Sequence, residues 1–386
     1  MEKINITKLF GSEIKELIGQ IRSSGKECYI VGGAVRDFLL KRKDFIDIDL
    51  TTALSVEQLI KIFKKNQIDF DDRAIRYNCL TVSIKKRSVQ ITSFRKDIRT
   101  FGRTADVELI ENIEEDAKRR DFTINAFYCS FNGEIIDPLG NLEDLHNKEL
   151  KFIGDPEARI IEDHLRILRF FRFVAVLGLK RRNINPKYLP IIEKHIDRIN
   201  DLSNERVAAE IRTILLSAFP SFALKLMDKV NLYEKVLGIY SEVLLLKLEK
   251  LESRYNLTPC LVRRVLALQI QPPIPLMSKK EKKYFNQLND LMKFDHNPDY
   301  LGYKVGEKPS LDFLVIRAIK DRSIVKAKDI EKIKKASKKV FPIKFSDVHS
   351  FSKSLSITRE KINLMESFWI KSGFKASKGK LLGLIN

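Results

Sequence analysis

Cysteine is scarce and scattered in this sequence. The four residues, Cys28, Cys79, Cys129 and Cys260, form no CxxC pair, and none of the five histidines stands at a spacing that would complete a zinc site. A disulfide scaffold and a zinc module are therefore excluded as readings. Four reduced, mostly buried thiols fit a cytoplasmic protein. No apolar run is long enough to cross a bilayer. The opening stretch, MEKINITKLFGSEIKELI, mixes charges and lacks the apolar block of a secretory signal. No internal repeat or low-complexity segment stands out.

Positive charge is what the chain has in excess. Its formal net charge is +20, and from Lys279 onward 25 Lys+Arg face only 12 Asp+Glu. An excess of this size points to a polyanionic partner, most often nucleic acid, although lysine-rich solvated faces would give the same count. With 44% hydrophobic and 32% charged residues, 386 residues make a folded chain of two to four domains.

Periodicity divides the chain into a mixed strand–helix part and a longer helical part. Glu13–Ile21 reads as a helix, CYIV (28–31) as a buried strand, Ala34–Lys41 as a helix and Phe45–Leu50 as a strand. Ser55 and Gln58 form a capping box opening the helix Val56–Lys65. Cys79–Lys85 and Ser88–Phe94 read as strands, and Arg95–Asp106 as a mobile loop without clear period. Asn132-Gly133 is expected to turn a hairpin. Helical patterns follow at Ile160–Leu177, Asn204–Ser217 and Phe222–Val230. The fold class is thus α+β: a small mixed-sheet head followed by an elongated all-α remainder.

The chemistry concentrates in Tyr29–Leu50, YIVGGAVRDFLLKRKDFIDIDL. Side chains alternate along a strand, so Asp47 and Asp49 share one face. Two carboxylates so placed suit Mg²⁺, which takes a few carboxylates and completes its shell with water and substrate phosphates. An exposed strand with solvated acids is the plainer alternative for this pair alone. Gly32 and Gly33 let backbone N–H groups approach a phosphate. Arg36 and Asp37 serve either as phosphate contacts or as a pair within the fold.

GGxVRD followed by DxD resembles motif A of the class II tRNA nucleotidyltransferases, the family of CCA-adding enzymes and bacterial poly(A) polymerases. Further segments resemble that family's motifs in order: Arg119–Ala126 (RRDFTINA), Asp137–Gly140 (DPLG), Glu162–Arg169 (EDHLRILR) and Ser203–Glu210 (SNERVAAE). Five motifs in order are far more specific than a glycine pattern. The resemblance implies that Asp47 and Asp49 hold Mg²⁺. It also implies that Gly32, Gly33, Arg119, Arg120, Asp121 and Asn125 bind the triphosphate and ribose. Asp163 and Arg166, at i and i+3 of one helix face with Arg169 next, would read the Watson–Crick edge of C or A. Glu162 would orient Arg166. Asp137, Glu205, Arg206 and Glu210 would tie the parts together.

The same resemblance implies a division into a head (1–140), a base-selecting neck (141–200), a body (201–275) and a basic tail that grips tRNA (276–386). The implied reaction is template-independent addition of C, C and A to tRNA from CTP and ATP, with no obligate protein partner. Poly(A) addition to general RNA ends is the rival reading, and an inactive RNA-binding scaffold a second. No His-Asp dipeptide of an added phosphohydrolase domain occurs.

Overall fold

The computed structural model describes residues 3–42, 48–75, 78–85, 87–101, 104–271, 275–352 and 354–385. Two compact units emerge, Met1–Val236 and Leu237–Asn386. Among the described residues no helix is long and apolar enough to cross a membrane.

The first unit is built on a seven-stranded mixed sheet. Its strands are β1 (Cys28–Val31), β2 (Ile48–Thr52), β3 (Phe70–Asp71), β4 (Cys79–Ile84), β5 (Arg87–Ser93), β8 (Tyr128–Cys129) and β9 (Ile135–Ile136). They lie in the order β3-β4-β5-β2-β1-β8-β9. β2 and β5 run parallel, whereas the other pairs are antiparallel. Parallel neighbours need a crossover. Here it includes the helix Val56–Lys65, opened by the Ser55–Gln58 capping box. Leu59 and Phe63 of that helix are fully buried. β2 is therefore an interior strand, with Ile48, Leu50 and Thr52 facing the core and Asp49 on the opposite face.

The β8–β9 hairpin turns at Gly133, whose φ is 82°. A Cβ there would come within 2.0 Å of the Ile4 carbonyl oxygen. The missing side chain lets the chain pass close enough for the Ile4 amide to donate to the Gly133 oxygen at 2.8 Å, docking the N-terminal segment on the turn.

Two expectations need correction. Arg95–Asp106 is not an irregular loop: β6 (Arg95–Phe101) and β7 (Thr104–Leu109) form a separate antiparallel ribbon. Its register shifts between Asp97 and Arg99, which breaks the period of two that would have revealed a strand. The helix expected over Ile160–Leu177 is two helices, Pro156–Glu162 and Leu165–Val176. Asp163 between them is extended (φ −148°, ψ 105°), and its Oδ1 accepts from the Leu165 amide at 3.1 Å. A short carboxylate side chain satisfying a local amide is what ends one helix and starts the next.

Leu165–Val176 buries Phe170, Phe171 and Phe173. Phe170 and Phe173 join Phe122, Phe152 and Tyr188 in an aromatic cluster, with Phe122 and Phe152 at 4.7 Å between ring centres. This packing clamps the segment around Asp121 against the helix. The helix Asn204–Leu216 packs alongside Leu165–Val176.

The second unit is helical. Arg263 and Arg264 lie on the buried helix Leu261–Ala267 and share Glu252 as ion partner. The single tryptophan, Trp369, sits in a separate apolar cluster with Ile343, Val348 and Met365.

Candidate active site

β1 ends at Val31 and the chain turns at Gly32, with φ 72° and ψ −124°. A side chain at this φ is strained, so glycine is required. The Gly32 amide donates to the Phe127 carbonyl at 3.1 Å, fixing the turn beside the Arg119–Ala126 segment. In the sheet, Asp49 lies opposite Val31 on one side and Gln90 on the other. Asp47 falls outside the described residues. Of the strand expected over Phe45–Leu50, residues 45–47 likewise fall outside the described residues, and β2 covers Ile48–Thr52.

Asp49, Gly32, Gly33, Arg36, Arg120 and Arg169 line one cleft of about 360 Å³. Asp121 and Asn125 contribute to its wall. Arg119 faces a neighbouring hollow that also contains Asp49 and Arg120.

Arg119 and Arg120 are held by an acid that sequence reasoning did not single out. Asp116 is fully buried and pairs with Arg119 at 2.7 Å and Arg120 at 3.0 Å. Tyr128 donates its hydroxyl to the same carboxylate at 2.7 Å. Burial alone would raise the Asp116 carboxyl, but Arg120 and Arg119 more than offset it and hold it below the usual range. The signal was available: Asp116 stands three and four residues before the arginine pair, at helical spacing. The segment Arg119–Ala126 is mostly non-helical. Arg119 caps the helix Ile113–Lys118, and only a 3₁₀ turn, Thr123–Asn125, follows.

A second network runs along the cleft. Arg36 donates to Asp37 at 3.0 Å and to the Asn125 Oδ1 at 2.6 Å. Asn125 donates to Asp121 at 3.0 Å, and Asp121 pairs with Arg169 at 2.6 Å. Arg169 lies 3.8 Å from Glu210, whose other oxygen is 3.1 Å from Arg172 Nε. That last contact has ion-pair distance, yet Glu210 Oε2 makes no aligned hydrogen bond. Burial raises the Glu210 carboxyl. Burial, with Arg169 next, lowers Arg172 to about 10. Arg172 lines the cleft and was missed by the motif reading. It continues the three-residue spacing of Arg166 and Arg169.

Burial opposes ionisation of Asp121 too, but Arg169 and the amide of Asn125 hold its carboxyl well below the usual range. Both depressed carboxyls stabilise the fold fully above their unfolded values, near 4, and lose that contribution as pH falls through and below this range. Asp116→Asn is expected to flatten the acid limb of the first unit's stability, measured by urea unfolding between neutral and strongly acidic pH. An unchanged slope would show that the two arginines do not hold this group.

Asp163 and Arg166 do not share a helix face, and neither lines the cleft around Asp49. Arg166 is buried, donating to the Arg159 carbonyl at 2.6 Å and to Glu162 at 2.7 Å. A longer bond of 3.3 Å reaches the Arg119 carbonyl. Asp163 pairs with Arg206 at 2.9 Å. Glu162 thus touches Arg166 as expected, and Arg206 and Glu210 bind Asn204–Leu216 to the neighbouring helices. Glu205 is exposed. Asp137 accepts locally from the Leu142 amide at 2.8 Å.

A carboxylate on an interior strand, facing a glycine turn and a bank of paired arginines, defines the head of a nucleotidyl-transferring enzyme. The family model described as the poly A polymerase head domain matches residues 28–151. A second, described as a probable RNA and SrmB-binding site of polymerase A, matches residues 183–242. The chain is 30% identical to the CCA-adding enzyme of Lactobacillus helveticus over 82% of its own length and 81% of that enzyme. It is 34% identical to the CCA-adding enzyme of Anoxybacillus flavithermus, over 63% of this chain and 59% of that one. The Bacillus stearothermophilus CCA-adding enzyme in complex with CTP superposes with a TM-score of 0.67, at 23% identity, covering 96% of this chain and 94% of that one. The chain belongs to the class II family of CCA-adding enzymes and bacterial poly(A) polymerases.

Proposed function

We propose that this protein is a tRNA nucleotidyltransferase that adds C, C and A to tRNA 3′ ends from CTP and ATP, with release of pyrophosphate. The observation that carries the transfer chemistry is the meeting of Asp49, the Gly32-Gly33 turn and Arg120 in one cleft. The substrates come from the relatives, which are named as CCA-adding enzymes, one of them with CTP bound.

Activity depends on a divalent metal, and we assign Mg²⁺. The donor set fits that ion: a half-buried carboxylate, Asp49, faces a cleft rich in arginine. Among the described residues no three His, Cys, Asp or Glu cluster as a full protein cage. Mg²⁺ usually completes its shell with water and substrate phosphates. Asp47 and Asp49 would hold it. There it would lower the pKa of the attacking hydroxyl and neutralise the departing pyrophosphate.

The chain's own groups do the rest. The Gly32 and Gly33 backbone and Arg36, Arg119 and Arg120 receive the triphosphate. Asp116 keeps Arg119 and Arg120 aimed. Asp121 and Asn125 orient Arg169 and Arg36 around the ribose. We assign base selection to Asp163 and Arg166, which stand outside the cleft around Asp49, Arg166 reaching the Arg119 carbonyl, with Glu162 and Arg206 fixing their directions. We keep the division into head, neck, body and tail at 140, 200 and 275, with the basic tail gripping tRNA through phosphates. The four free thiols fit a reducing, cytoplasmic compartment.

The family models named for polymerase A keep one rival reading alive, poly(A) addition. Incubation with tRNA lacking its CCA end, and separately with an unrelated RNA, separates the two. Three residues added to tRNA, then a stop, is the expected result. Long A tails on either RNA would establish the rival instead.

A further inference from the structure

One guanidinium group of the cleft is underused. Arg172 lines the wall beside Arg169 and Phe173. Among the described residues no hydrogen bond engages Arg172, and its one ion pair is the approach of its Nε to Glu210 at 3.1 Å. Burial and the neighbouring Arg169 both work against its charge. A cation without a full partner, on the wall of an open cleft, is a place for an anion.

Phe173 sets where that anion would lie. Arg172 stands over its ring at 4.6 Å, Arg36 at 5.2 Å and Arg169 at 5.7 Å. The ring is buried and acts as a common spacer for the three groups. Arg36 in turn approaches the glycine turn, since a Cβ on Gly33 would meet its Nη2 at 3.6 Å. The turn and Arg172 are thus joined through Arg36 and Phe173 along one side of the cleft.

Glu210 stands behind this group. It is buried on the helix Asn204–Leu216, 3.8 Å from Arg169 and 3.1 Å from Arg172, yet its Oε2 makes no aligned hydrogen bond. A carboxylate so placed is able to take over a neighbouring guanidinium without holding it fast.

Nucleotidyl transfer gives that arrangement a use. The acceptor's 3′ oxygen bonds to the α-phosphorus, the bond from that phosphorus to the α–β bridging oxygen breaks, and the hydroxyl proton passes to water. The β- and γ-phosphates leave together as pyrophosphate. Arginines that hold a triphosphate also hold pyrophosphate, because charge-assisted bonds to phosphate oxygens form equally well with either. Repeated addition to one RNA requires this product to leave each time. We propose that Arg172 contacts the terminal phosphates of the nucleotide, and that Glu210 is a positioning residue that recaptures Arg172 and so releases pyrophosphate. The proposal rests on the nucleotidyltransferase reading above.

The test uses the full-length protein, CTP and tRNA lacking CCA, with inorganic pyrophosphate as the probe. Arg172→Gln should raise the pyrophosphate inhibition constant about tenfold, as loss of one charge-assisted contact does. Glu210→Gln keeps the shape and removes the competing charge, so it should lower that constant about tenfold. It should also slow turnover after a burst of first CMP addition, with the KM for CTP unchanged or lower. Joining both substitutions should return the constant to that of Arg172→Gln alone.

A Glu210 that served only to hold helices together would behave differently. Its loss would weaken pyrophosphate and CTP alike and produce no burst. That result, or an unchanged inhibition constant in Arg172→Gln, overturns the proposal. Thermal unfolding of each variant accompanies the assay, and Arg172→Gln decides the matter if Glu210→Gln does not fold. If the wild-type protein incorporates no nucleotide at all, the functional reading falls. If it incorporates normally while both variants keep the wild-type pyrophosphate inhibition, only the release role falls.

Discussion

Replacing Asp49 by alanine is expected to remove nucleotide incorporation, by on the order of a thousandfold or more, while tRNA affinity stays within about twofold. The argument is positional. Asp49 sits on an interior strand, flanked by β1 and β5, and its neighbours Ile48 and Leu50 are buried at 1% and 0% exposure. Alanine is accommodated there without disturbing the core, so the loss is of charge and coordination rather than of fold. Asp49→Asn keeps the shape and should fail nearly as badly, because a neutral amide is a poor ligand for a hard cation. Incorporation of labelled CMP into tRNA lacking CCA, beside a filter-binding measurement of tRNA affinity, reads both quantities. An alanine variant that retains incorporation would remove this acid from the chemistry.

The second large effect is on stability, in the Leu237–Asn386 unit. Glu252 is 5% exposed and bridges Arg263 at 2.8 Å and Arg264 at 2.5 Å, themselves 2% and 1% exposed. Arg263 also pairs with Asp312, which accepts the Tyr284 hydroxyl at 2.6 Å. Two buried guanidinium groups thus depend on two carboxylates. Removing one partner of a buried ion pair typically costs about 3–5 kcal/mol, because the remaining charge cannot reach water. Glu252→Ala should shift the unfolding midpoint of this unit strongly downward. Trp369 is the only tryptophan and lies in this unit, so its emission follows that transition. Affinity for CTP should be preserved, since every residue around Asp49 belongs to the other unit. An unmoved tryptophan transition would show that Arg264 finds another anion.

Much of this arrangement is legible in the sequence where the signal is local. Val56–Lys65 is readable because Ser55 and Gln58 mark its start and the apolar spacing marks its buried face. CYIV and the strands before Phe94 are readable from their β-branched alternation. The ribbon Arg95–Leu109 is not, because its register slips in mid-strand. The break at Asp163 is hidden for a different reason. Aspartate is ambiguous between helix interior and cap until its partner is known, and that partner, Arg206, lies 43 residues away. The motifs identify Asp49, Arg120 and Arg169 as site residues. They cannot show that Glu210 holds Arg169 and Arg172, since those contacts exist only once the chain has folded, whereas Asp116 stands at helical spacing from Arg119 and Arg120 and was legible.

The path from Arg36 through Asn125, Asp121 and Arg169 to Glu210 and Arg172 draws on four separate stretches of sequence. Each member neutralises or aims the next, so these stretches cannot drift independently. A chimera that imports the helix Asn204–Leu216 from a distant relative would inherit a carboxylate fitted to foreign arginines. Transplants in this protein should succeed only when all four stretches travel together.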